Sequence, residues 1–297
     1  MCRHAEAAAC QALPMSPQTD GVSSTSWLGA PIDARPLFGP ELASLLDLLR
    51  ALRPADWQAT AVPGWSVQDL ATHILGDFHG RLGWSTDGFR PAFAPGETLE
   101  SFIHRVNQEW IDLHTGHSPA MLIDAIETAG AQVGRQFAVT DLGTAGLGVS
   151  WAGADPAPAW LDIAREFTEY WTHRQQIRHA TGRATDPGQR ALATVLDAFM
   201  RALPHTLRGT SAAIGTQVRM VITGPAGGTW TVTAVEGRWS LAAAPGGQPR
   251  ASVTLDSETA WRLCTRGIEP STALAHARVL GERRLAEAVC QIVSIVH

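Results

Sequence analysis

The sequence predicts an α+β protein in two parts, a helix bundle followed by a smaller mixed domain, and three observations carry this reading. Between Pro40 and Gly182, apolar residues recur at helical spacing in one segment after another, with no persuasive alternating strand. After Gly182, short strand-like runs separated by Gly-rich turns take over, flanked by further helical patterns. The 297 residues, 45% hydrophobic and 17% charged, have a globular composition and suffice for one large domain or two ordinary ones.

Residues 1–30 read as a flexible extension, since MCRHAEAAACQALPMSPQTDGVSS shows neither periodicity nor the apolar core of a signal peptide. The bundle is assigned to residues 31–183. Its first helix, 40–52, has Leu42, Leu45, Leu46 and Leu49 on one stripe, with Pro40 at its start and Pro54 beyond its end. A Pro63-Gly64-Trp65 turn follows. Ser66 then caps a second helix, with Asp69 in a capping-box position and Val67, Leu70, Ile74 and Phe78 as core stripe. A third helix, 97–114, is anchored by Leu99, Phe102, Val106, Trp110 and Leu113; a fourth, 118–139, by Met121, Ile123, Ile126, Val133 and Phe137. A Gly/Ala/Pro loop leads to a long helix, 160–182.

The second domain is assigned to residues 184–297. A helix to about residue 203 precedes strands at 218–223, 229–235, 238–242 and 251–255, separated by Gly-rich turns. A helix capped by Asp256 or Ser257 runs to Cys264, and another, 285–296, closes the chain, giving an antiparallel sheet covered by helices.

Composition excludes several functions. A net charge of -5, with no basic cluster interleaved with aromatics, argues against a nucleic-acid surface. No apolar run approaches the roughly eighteen residues of a membrane helix. All 23 basic residues are arginine, so a lysine Schiff base is excluded. Four cysteines in two distant pairs make no disulfide framework, so the cytoplasm is the expected compartment. Cys264 and Cys290 read as packed thiols, and Cys2, His4 and Cys10 fall in the extension. Dinucleotide, Walker, H-E-x-x-H and G-x-S-x-G motifs are absent.

The long helix carries the chemistry. Glu169 and His173, four residues apart, stack on one face, where a carboxylate and an imidazole can grip one divalent ion. On a helical wheel the apolar arc is Trp160, Ile163, Phe167, Tyr170, Trp171 and Ile177. Arg165, Thr168, Thr172, Gln175 and His179 form an arc expected to meet water, and Glu169 and His173 lie between the two. The plain alternative is an i,i+4 pair worth a few tenths of a kcal/mol. A third ligand has to come from a facing helix. His73 beside the second helix's stripe is the best candidate, with His79, His104, His114 and His117 as rivals, and Asp77 could orient His73 or ligate in its place. A lone His there is otherwise a satisfied packing residue.

The segments PGWSVQDLATHILG and VSWAGADPAPAWLDIAREFTEYWTHRQQIRHATGR resemble the two signature stretches of the mycothiol-dependent maleylpyruvate isomerase family. The tail, TLDSETAWRLCTRGIEP with VLGERRLAEAVCQIVSIV, is similar to that family's second domain. The resemblance implies a DinB-like four-helix bundle followed by a sterol-carrier-like α+β domain, with His73, Glu169 and His173 as three protein ligands of zinc and an open position for water or substrate. It further implies mycothiol as a low-molecular-weight thiol partner, activated for addition to an electrophilic small molecule in maleylpyruvate-type cis–trans isomerisation. A mycothiol S-transferase of the same fold and a non-enzymatic, metal-containing ligand-binding module are the alternatives. Gln176 stands where many relatives have Asp, and it can hydrogen-bond but not take a proton. Arg90 and Arg266 are the candidates for thiol or substrate carboxylates, while Arg178 falls off the ligand face.

Overall fold

The structure is a computed structural model, described here for residues 25–83, 89–186, 188–242 and 247–295. Two helical turns of mostly apolar sequence open it. Leu28 is fully buried, and the Trp27 carbonyl accepts from the Leu241 amide at 2.8 Å. Residues 25–30 are therefore packed against the second domain instead of belonging to a flexible extension; the remainder of that assignment, including Cys2, His4 and Cys10, lies outside the described residues.

The bundle helices follow most of the apolar stripes, but Leu99 and Leu113, named as anchors of the third helix, and Met121 of the fourth are exposed, the third helix burying Val106, Trp110 and Ile111 instead. Helix α1 is Phe38–Arg50. The Pro-Gly-Trp turn then closes a small hairpin, β1 (Thr60–Val62) with β2 (Trp65–Ser66), which alternation in so short a run did not reveal. Ser66 opens α2 (Val67–Arg81) with a full capping box: its Oγ accepts from the Asp69 amide, and the Asp69 carboxylate accepts from the Ser66 amide at 2.9 Å. The Thr98 and Ser118 hydroxyls cap α3 (Leu99–Leu113) and α4 (Pro119–Ala138), accepting from the amides of Ser101 and Met121 without the reciprocal bond. Helix α5 is Ala159–Ala180. Phe38, Leu45, Ile74, Phe78, Ile126, Val133, Phe167 and Tyr170 fill the space between α1, α2, α4 and α5, with Phe78 and Tyr170 rings 4.6 Å apart.

After α5 come α6 (Gln189–Met200) and the short α7 (Leu203–Thr206). The sheet is built from β3 (Gln217–Thr223), β4 (Gly228–Val235), β5 (Arg238–Ser240), β6 (Ala251–Asp256) and, after α8 (Ser257–Cys264) and α9 (Pro270–His276), β7 (Arg278–Gly281). Its order is β5-β4-β3-β6-β7, antiparallel except for the parallel β3–β6 pair. The expected sheet is thus mixed. Helix α10 (Arg283–Val289) is shorter than the pattern suggested, and β7 and α9 lacked a sequence signal strong enough to name them. Val218, Met220, Ile222, Val232, Val253 and Leu255 form the buried face beneath α8 and α10. Cys264 and Cys290 are free and buried, and burial pushes both thiols up to about 12.

One expectation about α5 fails. Thr168, Thr172 and Gln175, assigned to a water-facing arc, are fully buried or nearly so. The second domain covers them: α6 packs along α5, Trp171 meets Trp261 edge-on at 5.6 Å, and Thr185 donates to Glu258 at 2.7 Å. Arg174 is sealed in as well, paired to Glu41 of α1 and to Asp186 at 2.7 Å. A helix wrapped on both sides shows little amphipathic contrast, so a wheel divides it wrongly.

Candidate metal centre

Helices α2 and α5 run antiparallel and face each other through two matching rails. His73, Asp77 and Arg81 lie at four-residue steps on α2; His173, Glu169 and Arg165 do so, in reverse order, on α5. At the first rung the two imidazoles meet, His73 Nε2 being 3.2 Å from His173 Nε2 with the rings edge-on. The second rung is acidic. Asp77 Oδ2 lies 3.5 Å from His73 Nε2, and Glu169 Oε2 lies 3.5 Å from His173 Nε2. At the third rung, Arg81 and Arg165 are bridged by carboxylates from α5: each guanidinium approaches Glu166 Oε1 at 2.7 Å, and both contact Asp162. Tyr170 donates to the other Glu166 oxygen at 2.7 Å.

The electrostatics differ rung by rung. Burial holds both imidazoles neutral, lowering His73 to about 4 and His173, which also feels His73, to about 3. Burial pushes Glu169 up to about 8, more than Arg165 lowers it, and raises Asp77 as well. Below them, burial also disfavours the Glu166 anion, but Arg165 and Arg81 outweigh it and hold that carboxyl at about 2. Glu166 is thus the permanent anion of the structural rung, while burial disfavours the anionic forms of Asp77 and Glu169.

The donors suit a metal ion. Two imidazole nitrogens at zinc-ligand distances of about 2.0–2.1 Å, set at a tetrahedral angle, stand about 3.4 Å apart, and the observed separation is 3.2 Å. His73, Asp77 and His173 place one ligand atom each within 4.8 Å of one another, so the carboxylate of this group is Asp77 and not Glu169, the one the resemblance implied. Asp77 approaches the same Nε2 that faces His173, so it converges on the point between the histidines and does not steer His73 from behind. Gln176 does act from behind: its Oε1 lies 2.8 Å from His173 Nδ1. A side-chain carbonyl there accepts a hydrogen bond from Nδ1–H, which keeps the proton on Nδ1 and leaves the Nε2 lone pair facing the rung.

Residues 38–178 match the family model described as the mycothiol maleylpyruvate isomerase N-terminal domain. The bundle belongs to that family. Two solved structures of the mycothiol-dependent maleylpyruvate isomerase, one a mutant, are similar to this chain at TM-scores of 0.48 and 0.47; each is 16% identical, with 80% of this chain and 90% of that one covered. No curated protein matches the sequence.

Within this mycothiol maleylpyruvate isomerase N-terminal domain, two of the rivals to His73 pack against one indole. His114 is buried against Trp110, its Nδ1 2.7 Å from the Trp110 carbonyl, and His79 lies beside the same indole. His104 is exposed. The arginine candidates are not part of the rails. Arg90 is exposed and donates to the Phe89 carbonyl, and Arg266 donates to the Gln291 carbonyl in the second domain. Arg178 donates to the Ala184 carbonyl, away from the ligand face. Arg81, Asp162 and Glu166 went unnoticed in the sequence, although His-x-x-x-Asp-x-x-x-Arg on one helix and Arg-x-x-x-Glu-x-x-x-His on another are a visible mirrored pattern. A cavity of about 540 Å³ lies elsewhere, against Gly29, Trp160 and Leu241, so cavity volume alone points away from the histidines.

Proposed function

We propose that the bundle holds a divalent ion, zinc by its donor set, between His73 and His173, with Glu169 and Asp77 as the carboxylate donors. We propose further that the protein is a mycothiol-dependent enzyme of the isomerase type, adding the thiol to an electrophilic small molecule such as a cis-unsaturated dicarboxylic acid. The observation that carries this reading is the 3.2 Å approach of two neutral imidazole nitrogens flanked by two carboxyls. Two neutral imidazoles and two carboxyls whose burial outweighs the pull of Arg165 and Arg81 are costly to bring together without a cation among them.

When bound, such an ion supplies the positive charge that favours a thiolate over a thiol at neutral pH. The protein's own residues do the rest. His73 and His173 present unprotonated nitrogens, Gln176 fixes the ring of His173, and the Arg81–Glu166–Arg165 rung holds α2 and α5 in register below. Gln176 accepts a hydrogen bond but no proton, so the proton of the incoming thiol passes to a carboxyl, to water or to the substrate. In isomerisation the thiolate adds to the conjugated double bond, the resulting single bond rotates, and elimination returns the thiol.

The test is metal content and thiol binding measured separately. Zinc analysis of purified wild type, His73→Ala and His173→Ala should show about one ion per chain falling to near zero in both variants. Unchanged metal content would remove the assignment. Saturable mycothiol binding by the zinc protein, followed by turnover of maleylpyruvate, should accompany it; metal without thiol binding would point to a non-enzymatic module.

A further inference from the structure

A cavity of about 350 Å³ opens beside β4, lined by Arg201, Arg219, Thr229, Trp230, Thr231 and Leu241 among others. Strand β5 pairs with β4 only over Thr233–Val235, so Thr229–Thr231 border an edge that no described strand covers. The place is far from the histidines. Arg201 stacks 5.7 Å from the ring of Trp160, thirteen residues before His173 on α5. At 1.5 Å per residue that is about 20 Å along the helix.

Two arginine donors at this cavity lack acceptors. Arg201 is 6% exposed; one terminal nitrogen donates to the Leu28 carbonyl at 2.6 Å and the other to Asp197 at 2.8 Å, but its Nε is buried and unpaired. Arg219 is half-buried with its Nε also shut off from solvent, and among the described residues no carboxylate or carbonyl pairs with its guanidinium. The buried guanidinia of Arg81, Arg165 and Arg174 all have carboxylate partners. Arg219 is flanked in register by two hydroxyl residues, Thr231 on β4 and Ser252 on β6. Asp197, the carboxylate that meets the cavity's Arg201, is also engaged by the Trp230 indole at 2.7 Å. A half-buried guanidinium with hydroxyls beside it and no acceptor among the described residues is a receptor for an oxyanion, and Trp230 with Leu241 adds apolar wall for a carbon skeleton.

We propose that this cavity is a second ligand site, separate from the metal centre, that binds a small organic carboxylate through Arg219. The probe is benzoate, titrated at constant ionic strength into the ¹⁵N-labelled full chain while the arginine Nε–H resonances are followed, with inorganic phosphate and chloride as parallel titrations. Benzoate should shift the Arg219 resonance saturably, Arg219→Met should weaken binding about tenfold or more, and His173→Ala should leave it unchanged. Arg219→Lys, which keeps the charge but removes the Nε donor, should also weaken binding and serves if the Met variant does not fold. Absence of saturable benzoate binding, binding retained in both Arg219 variants, or loss in His173→Ala would each overturn the proposal. Saturation by phosphate but not benzoate would overturn the carboxylate assignment.

Discussion

Adding zinc to the metal-free protein at pH 7 is expected to release close to one proton from Glu169 alone. With its carboxyl at about 8, Glu169 is about 0.9 protonated at pH 7 and only about 0.1 at pH 9. Asp77, also raised by burial, adds to the release. His73 and His173, at about 4 and about 3, are already neutral and contribute nothing above pH 6. The assay is calorimetric titration of zinc in buffers of different ionisation enthalpy, where the slope of apparent enthalpy against buffer enthalpy counts protons. The count should be at least about 0.9 at pH 7, fall steeply by pH 9, and drop by about 0.9 at pH 7 in Glu169→Gln. A count near zero at pH 7, or one unchanged in Glu169→Gln, would refute the picture of neutral carboxyls awaiting a cation. The same shifts set the stability of the metal-free protein. Glu169, raised when folded, contributes stability that is lost as pH rises from about 4.5 toward 8, while the depressed histidines contribute stability lost as pH falls from about 6.5 toward 3–4. The metal-free protein should therefore gain most from zinc above neutrality.

Three further outcomes are expected. Gln176→Ala should weaken zinc binding by about 10- to 100-fold while leaving far-UV circular dichroism unchanged, because it removes the acceptor behind His173 and no ligand. Arg174→Met leaves Glu41 buried without its partner and should cost about 3–5 kcal/mol in urea unfolding, less if Glu41 is also changed to Met. Gly76→Ala would place a Cβ 2.8 Å from Trp110 Cδ1, on an indole that is 1% exposed and tied to the Thr72 carbonyl at 2.9 Å. Overpacking costs about 1–3 kcal/mol and the helix-propensity gain returns about 1 kcal/mol at most, so thermal denaturation should show a net loss.

Apolar periodicity made the bundle legible because most of its helices bury one stripe and wet the other. Ser66 and Asp69 marked the start of α2 because a capping box is a local arrangement. Prediction failed where burial came from the distant part of the chain: α5's polar arc lies under α6 and Trp261, and its small uncharged Thr168, Thr172 and Gln175 were the one hint that it does not face water. In the site, the Glu169–His173 spacing was readable on one helix. That α2 supplies the opposing face depends on how two helices pair in space: its place beside the core stripe made His73 the best candidate, but only the resemblance set it above its rivals. The convergence of Asp77 on His73 Nε2 is a matter of rotamers, which spacing does not encode.

The antiparallel rails set like against like: imidazole faces imidazole, carboxyl faces carboxyl, guanidinium faces guanidinium. Sliding α2 by one turn along α5 in one direction would bring Asp77 opposite His173 and Arg81 opposite Glu169; in the other, His73 opposite Glu169 and Asp77 opposite Arg165. Either slip offers these side chains more congenial neighbours than the register they occupy. Apolar packing around Ile74, Phe78, Phe167 and Tyr170 holds the helices where the polar row is locally frustrated. At one end Glu166 and Asp162 relieve that conflict from within the chain. At the other, the imidazoles and carboxyls are left facing their like, and apolar packing carries the cost of that register.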